Sequence, residues 1–262
     1  MYSPRYFQSR SRCASLAPCV GPRLKARTCH IRASSVFAFL AATVLSLYGC
    51  ANPARPVTAS SVSTAAVVDT RGANVYAIDR ENSTVNILVY RAGTLARFGH
   101  NHVMTANKLA GQAWINPEFE KSGFDISFQV ADLIVDDADA RRAAGSDFPP
   151  EIAQSDKDAT RSNMLKTEVL DAERFPEIRV QATSVHGTLG APKVIAGISI
   201  KGVRREIEIP LSLSVESSRL SAHGEFDILQ SEFGIKPFSV GLGTLQVQDR
   251  LHIRFAIVAD KR

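Results

Sequence analysis

Apolar and polar residues alternate along most of the chain from Tyr76 to the C-terminus. The clearest runs are at residues 124–130, 207–215 and 251–257, and weaker ones occupy 85–89, 178–182 and 222–228. A period of two places successive side chains on opposite faces of a strand, so each run predicts a strand with one buried and one solvated face. Strands of this kind are typical of antiparallel sheets.

About eight or nine such segments are separated by turn-forming sequences at 91–93, 187–190 and 216–219. One helix is predicted from Asp156 to about Asp171, because Pro149 and Pro150 prevent an earlier start. No stretch alternates strands with helices, which excludes a doubly wound α/β fold. The sequence therefore predicts an all-β protein, an antiparallel β-barrel of about eight strands with one short helical insertion.

The inward faces of the predicted strands are almost wholly apolar. A barrel of about eight strands either fills its interior with side chains or leaves room for one ligand, and periodicity does not distinguish the two. If the interior is hollow, its lining suits a long hydrocarbon. We assign the ligand cavity to Val85, Ile87, Val89, Phe124, Ile126, Phe128, Val130, Met164, Phe175, Val180, Ile198, Ile207, Ile209, Leu211, Phe226, Phe233, Ile253 and Phe255.

Residues 1–49 are organised like an export signal. They contain six Arg and one Lys but no Asp or Glu, and an apolar run of 13 residues occupies 36–48. A helix that spans a bilayer needs about 20 apolar residues, so this run predicts a signal peptide. The motif Leu47-Tyr48-Gly49-Cys50 resembles a bacterial lipobox, which implies cleavage after Gly49 and lipidation of Cys50.

A cleaved signal without lipidation and an organellar transit peptide are the alternatives, and the compact apolar run before a cysteine argues against the second. Residues 50–75 are small, polar and interrupted by proline, so they predict a flexible tether to a domain at 76–262. These features predict an exported protein on the periplasmic side of the cell envelope, held to the membrane through Cys50. Resemblance to sorted lipoproteins, with Ala51 after the cysteine, implies the outer membrane.

The basic charge of the chain is concentrated in this leader. Subtracting its seven basic residues from the net charge of +5 leaves −2 for residues 50–262, so the domain has no electrostatic basis for a nucleic-acid partner. The cysteines are confined to the same region, at Cys13, Cys19, Cys29 and Cys50. The domain therefore has no disulfide, cysteine-bound metal or cysteine nucleophile.

Catalytic motifs are absent from the sequence. It contains no nucleophile elbow, no P-loop and no dinucleotide-binding glycine motif, so we expect a protein that is not an enzyme. Asp132, Asp136, Asp137 and Asp139 lie close together but lack the spacing of a calcium-binding loop. The sequence favours a solvated acidic loop there.

The segment His100-Asn101-His102 places two imidazoles on one face of an extended strand. Three interpretations are open: hydrogen bonding in a turn or at the barrel rim, contact with a ligand headgroup at the cavity mouth, or a metal or haem site. Arg91 and Arg97 flank the segment and would favour an anionic or carbonyl-bearing headgroup. We assign these two arginines with His100 and His102 to the rim or headgroup site, and no metal, since spacing identifies no third ligand.

Motifs in order along the domain resemble the YceI-like family. The opening Tyr76-x-Ile78-Asp79-x-x-x-Ser83-x-Val85 is similar to the start of that family, and the later matches are at 161–164, 170–178, 197–205, 232–235 and 247–251. Residues 91–103 and 236–244 depart from the usual pattern of the family. The resemblance implies a lipocalin-like barrel whose cavity binds a polyisoprenoid chain, such as an isoprenoid quinone or a polyprenyl phosphate.

The sequence thus predicts a cell-envelope protein that holds a polyisoprenoid or similar long amphiphile without catalysis and without a required cofactor. One alternative is a metal- or haem-linked redox protein that uses His100 and His102. Another is a filled-barrel scaffold that acts in stress responses or protein interactions. The oligomeric state is left open, a dimer included.

Overall fold

The computed structural model of the protein describes residues 70–262. The predictions about the signal peptide, Cys50 and residues 50–69 of the tether lie outside the described residues. The sheet begins slightly earlier than predicted, because the first strand starts at Asn74, inside the segment assigned to the tether.

Thirteen strands and two α-helices make up the described part of the chain. The strands are β1 (Asn74–Ile78), β2 (Thr84–Ala92), β3 (His102–Ala106), β4 (Ala110–Ile115), β5 (Gly123–Gln129), β6 (Ile134–Val135), β7 (Glu177–Thr188), β8 (Ala191–Ile200), β9 (Val203–Ile209), β10 (Ser212–Val215), β11 (Arg219–Leu229), β12 (Ser239–Val240) and β13 (Leu245–Lys261). The helices are α1 (Ala138–Ala144) and α2 (Gln154–Leu165).

Antiparallel pairing connects the strands into a circuit. It runs from β1 through β4, β5, β7 and β8 to β9, and from β10 through β11 to β13, which pairs with β1 again. If β9 and β10 count as one interrupted strand, the circuit has eight members, and the predicted lipocalin-like antiparallel fold is confirmed. The strand β2 pairs with the same edge of β13 as β1 does, further along β13. From β2 the sheet continues to β3, and from β3 to β6.

The predicted strand at 207–215 is interrupted at Pro210, which has no N–H to donate to a ladder. Before this proline β9 pairs with β8, and after it β10 pairs with β11. A Cβ placed on Gly224 of β11 would lie 2.3 Å from the Pro210 oxygen, so the two backbones approach closely at the interruption. Pro210 therefore separates the part of the chain that pairs with β8 from the part that pairs with β11.

The prediction of a single helix was wrong. The helix α2 begins at Gln154 and ends at Leu165, so residues 166–171 are not helical, and α1 precedes Pro149. Asp137 caps α1, because its side chain accepts hydrogen bonds from the N–H groups of Asp139 and Ala140. Between residues 70 and 262 no helix is long and apolar enough to cross a membrane.

The described chain carries its own hydrophobic core. The largest buried cluster includes Met104, Phe128, Ile198 and Ile253, so it joins the inner faces of β3, β5, β8 and β13. A smaller cluster of Leu88, Val103 and Phe148 packs α1 and its following loop onto the outer face of β2 and β3. Since the core is internal and β13 returns to β1, the compact unit Ser63–Arg262 contains the contacts it needs to fold alone.

Candidate functional site: an apolar cavity with one polar end

The strands and α2 enclose a cavity of about 330 Å³. Its wall consists mainly of aliphatic and phenylalanine side chains from the inner faces of the strands. Alternation places these side chains inside, because their neighbours in sequence point to the outer face of the sheet. Fourteen of the residues assigned to the cavity line it: Val85, Ile87, Val89, Phe124, Ile126, Phe128, Met164, Val180, Ile198, Ile209, Leu211, Phe226, Ile253 and Phe255.

Four residues assigned to the cavity do not line it. Val130 and Phe233 are buried in the core, in short 3-10 turns that follow β5 and β11. Ile207 packs against the core cluster from β9, and Phe175 precedes β7 and covers Gly202. The assignments of Val130 and Phe233 failed because the strands end before those residues, so that alternation no longer sets their direction.

Many lining residues were not assigned from the sequence, among them Met104, Ile178 and Ile200. His102, which was assigned to the rim or headgroup site, also lines the cavity. In β8 the run from Val194 to Ile200 is almost continuously apolar, so no alternation separates its inner from its outer face. In β3, Val103 between His102 and Met104 is also apolar and buried, so the pattern does not separate the two faces of this strand either.

Four of the five polar side chains that line the cavity are concentrated at one end, and the fifth, Ser122, precedes β5. His102 is opposite Val89 in β2, and Val89 is opposite Leu251 in β13, which is also paired with Ile228 in β11. Gln230 directly follows that strand. Thr160 and Asn163 of α2, together with His102 and Gln230, also line the cavity. The cavity therefore has a long apolar wall and a polar end beside α2.

His102 belongs to a buried hydrogen-bonded network. Its Nδ1 lies 2.6 Å from Oδ2 of Asp136, and the other carboxylate oxygen accepts hydrogen bonds from the Val103 N–H at 2.9 Å and from Nη1 of Arg141 at 2.5 Å. Asp136 and Arg141 are wholly buried. Lys157 of α2 donates to the backbone oxygen of Asp136 at 2.7 Å. The network thus ties β3, α1 and α2 together beside the polar end.

Asp136 is held as a carboxylate. Burial acts to raise the pKa of its carboxyl, but the hydrogen bonds from His102 and Val103, the charge of His102 and the hydrogen bond from Arg141 outweigh burial and leave the pKa below its ordinary value. An ionised carboxylate only accepts hydrogen bonds, so Nδ1 of His102 carries the hydrogen. Among residues 70–262, no hydrogen-bond partner of Nε2 is seen, and the imidazole lines the cavity.

The other residues assigned to the rim do not line the cavity. The guanidinium of Arg91 donates to the Gly99 oxygen at 2.5 Å, and that of Arg97 lies over the Phe98 ring at 4.6 Å. His100 is exposed, with its ring centroid 6.3 Å from that of His102. Of the four assigned residues, the structure therefore brings His102 alone to the cavity.

Only part of the acidic segment is solvated, because Asp137 and Asp139 are exposed whereas Asp136 is not. Asp136 is buried, Asp137 caps α1, and Asp132 accepts from Lys108 at 3.1 Å. The backbone of Asp136 has φ +54°, a left-handed conformation that aspartate tolerates better than most residues. Within the described residues, no group of three or more His, Cys, Asp or Glu side chains has the arrangement of a metal site.

The fold and the cavity define a class, the lipocalin-like antiparallel proteins with an apolar interior. Within it, the chain belongs to the YceI-like family, because the family model of the YceI-like domain matches residues 76–259. No curated protein matches the sequence.

Solved structures share the fold at low sequence identity. The crystal structure of BcnA from Burkholderia cenocepacia is 14% identical, with a TM-score of 0.50 over 70% of this chain and 99% of that one. A polyisoprenoid binding domain from Saccharophagus degradans, implicated in plant cell wall breakdown, is 13% identical, with a TM-score of 0.48 over 71% of this chain and 98% of that one. The first likeness agrees with the fold that the strand pairing shows.

Proposed function

We propose that this protein is a carrier in the cell envelope that holds a polyisoprenoid or similar long amphiphile and catalyses no reaction. The observation that carries the proposal is the internal cavity, whose wall is apolar along its length and polar at one end. Membership in the YceI-like family supports it, since the resemblance to that family implies a polyisoprenoid ligand.

The shape of the cavity suits a chain with a headgroup. Removing apolar surface from water is favourable by about 25 cal/mol per Å², so a long hydrocarbon gains from the aliphatic wall without needing specific polar contacts. A headgroup needs hydrogen-bond partners, which in this cavity are concentrated beside α2. The chain therefore lies among the strands, with its polar end towards His102.

The headgroup would contact Nε2 of His102. In the neutral ring this atom accepts a hydrogen bond from a hydroxyl, as in a quinol, because Nδ1 already carries the hydrogen. In the protonated ring it donates to the carbonyl of an isoprenoid quinone or to an oxygen of a polyprenyl phosphate. Asp136 supports both states, because its carboxylate fixes the orientation of the imidazole.

The place of action is proposed from the leader sequence. An exported lipoprotein attached through Cys50 would hold the domain at the periplasmic face of a membrane, where isoprenoid lipids are present. The tether up to β1 would allow the domain to meet that membrane.

Native mass spectrometry of the segment Ser63–Arg262 tests the proposal. Protein incubated in detergent with an isoprenoid quinone or a polyprenyl phosphate is expected to retain one ligand. Ala222→Phe, which places a ring in the cavity, is expected to abolish retention. Ala256→Phe is the matched control, because Ala256 is exposed on the outer face of β13. His102→Ala is expected to weaken retention of headgroup-bearing ligands while a plain isoprenoid hydrocarbon is unaffected.

The proposal is overturned if folded wild-type protein retains neither ligand. It is also overturned if Ala222→Phe and Ala256→Phe retain ligand equally, since binding would then be outside the cavity.

A further inference from the structure

Two loops at the polar end of the circuit expose a concentration of apolar side chains. Five of the eight exposed large apolar residues in the described chain lie in segments 91–99 and 236–245: Leu95, Phe98, Phe238, Val240 and Leu242. We call these segments the apolar loop pair. An exposed apolar cluster of this kind is typical of a surface that meets a protein or a membrane.

The loops form one surface because they contact each other. The N–H of Leu95 donates to the Thr244 oxygen at 2.7 Å. A Cβ placed on Gly93 would lie 2.4 Å from the same oxygen, and one on Gly99 would lie 2.8 Å from the Leu245 side chain. Glycine at both positions therefore permits the close approach.

The tip of this surface is held outward. Leu242 lies between two glycines with positive φ, has φ +56° itself and is fully exposed, at 107%. This backbone conformation is unfavourable for a bulky residue other than glycine. The side chain gains no burial in the described chain that would offset the unfavourable conformation, so an external apolar environment is its natural partner.

The surface is basic and continuous with the cavity. The two segments contain Arg91, Arg97 and Lys236 and no acidic residue, and all three cations are exposed. Phe238 is both exposed and part of the cavity wall. A patch with apolar side chains at its tip and cations around it matches the interface of an anionic bilayer, where apolar groups enter the acyl boundary and cations contact the headgroups.

We infer that the apolar loop pair docks on the surface of an anionic lipid bilayer, beside the end of the cavity where Phe238 lies. This goes beyond the proposed function, because it assigns a binding surface and a partner that cavity binding does not require. Docking there would let a lipid pass between bilayer and cavity without crossing water.

Vesicle binding by the segment Ser63–Arg262 tests the inference. Sedimentation with vesicles of phosphatidylcholine and phosphatidylglycerol is expected to recover the wild type, and less of it at high salt. Combining Phe98→Asp with Leu242→Asp is expected to lower the partition coefficient by about tenfold or more, because two apolar groups leave the interface. Leu189→Asp is the matched control, since Leu189 is 39% exposed in the turn between β7 and β8. Its partition coefficient is expected to stay within about twofold of wild type.

Fluorescence locates the contact on the molecule. The natural tryptophan, Trp114, is buried and donates to the Lys121 oxygen at 2.9 Å, so it gives a constant background. Leu242→Trp is expected to shift its emission to the blue and to be quenched by brominated lipids, whereas Leu189→Trp is not.

Wild-type protein that stays in solution with anionic vesicles overturns the inference, as does equal loss of binding in the Leu189→Asp control. A concentration-dependent dimer that Leu242→Asp abolishes, without vesicle binding, also overturns it and assigns the surface to self-association. Retention of isoprenoid in detergent by the double variant separates this result from the proposed function, which fails only if the cavity itself takes no ligand.

Discussion

Asp136 connects parts of the chain that are distant in sequence. It contacts His102 and Val103 of β3, Arg141 of α1 and, through its backbone oxygen, Lys157 of α2. Its carboxylate balances the charge of a guanidinium that is equally buried. Removing one partner of such a pair leaves an uncompensated buried charge, which is more costly than the pair itself is stabilising.

Asp136→Asn is therefore expected to lower the free energy of unfolding by about 3–5 kcal/mol. Chemical denaturation of Ser63–Arg262 measures this. The control is Asp139→Asn, which removes an exposed ion pair with Arg142 and is expected to cost about 1 kcal/mol or less. A loss at position 136 no larger than the control would show that the network does not stabilise the fold.

The same carboxylate makes this contribution dependent on pH. Because the folded-state pKa of Asp136 is below its unfolded value, the stabilisation is fully present above the unfolded pKa, at about pH 4, and is lost as pH falls through the folded pKa. The difference in unfolding free energy between wild type and Asp136→Asn is expected to be constant near neutrality and to shrink on acidification. A difference that grew on acidification would contradict the assigned direction.

The sequence did not reveal this network for a physical reason. Asp136 lies 34 residues from His102, and nothing in the local pattern distinguishes it from the neighbouring acids. His102 was singled out from the sequence together with three residues that do not line the cavity. His102 differs from those three residues only in the folded chain. After β5 the chain returns and places β6 beside β3, which brings Asp136 to His102.

Individual strands were well anticipated, because alternation is a local property. The alternating residues that the sequence singled out in β2, β5 and β13, such as Val85, Phe124 and Ile253, line the cavity as their pattern indicates. Leu88 of β2 packs instead on the outer face. The ends of strands were less predictable: β5 ends at Gln129 although the alternating pattern continues to Val130. The helix α1 was missed although four of its seven residues are alanine, because Pro149 and Pro150 were taken to prevent any helix before them.

Close backbone contact between β4 and β5 requires glycine at position 111. This residue has φ +134°, and a Cβ there would lie 2.0 Å from the Asp125 oxygen. Gly111→Ala is therefore expected to separate the two strands locally and to lower the melting temperature well below that of wild type.

Gly145→Ala is the matched control for this prediction. Gly145 also has positive φ, at +108°, but nothing lies within 4 Å of its Cβ position. The free energy of unfolding of Gly145→Ala is expected to fall only by the cost of holding alanine at this positive φ, about 1–3 kcal/mol. Equal melting temperatures of the two variants would show that the contact with Asp125 is relieved without cost.

For the whole molecule, the leader predicts attachment to a membrane through Cys50. In cells of the host, the wild type is expected to incorporate labelled palmitate and to fractionate with membranes, because several acyl chains on one cysteine bind stably. Cys50→Ser is expected to lose the label. A wild type that is unlabelled and fully soluble after lysis would show that the lipobox interpretation is wrong.

Sequence alone determined the all-β class, the antiparallel arrangement and part of the cavity wall, because period two is encoded in neighbouring residues and sets the two faces of each strand. Tertiary structure decided that the interior holds a cavity, since filling depends on how side chains from opposite strands meet. It also decided that His102 alone of the rim residues reaches the cavity, and that loops more than 130 residues apart meet as one apolar surface. Both depend on contacts between distant segments, which no local pattern records.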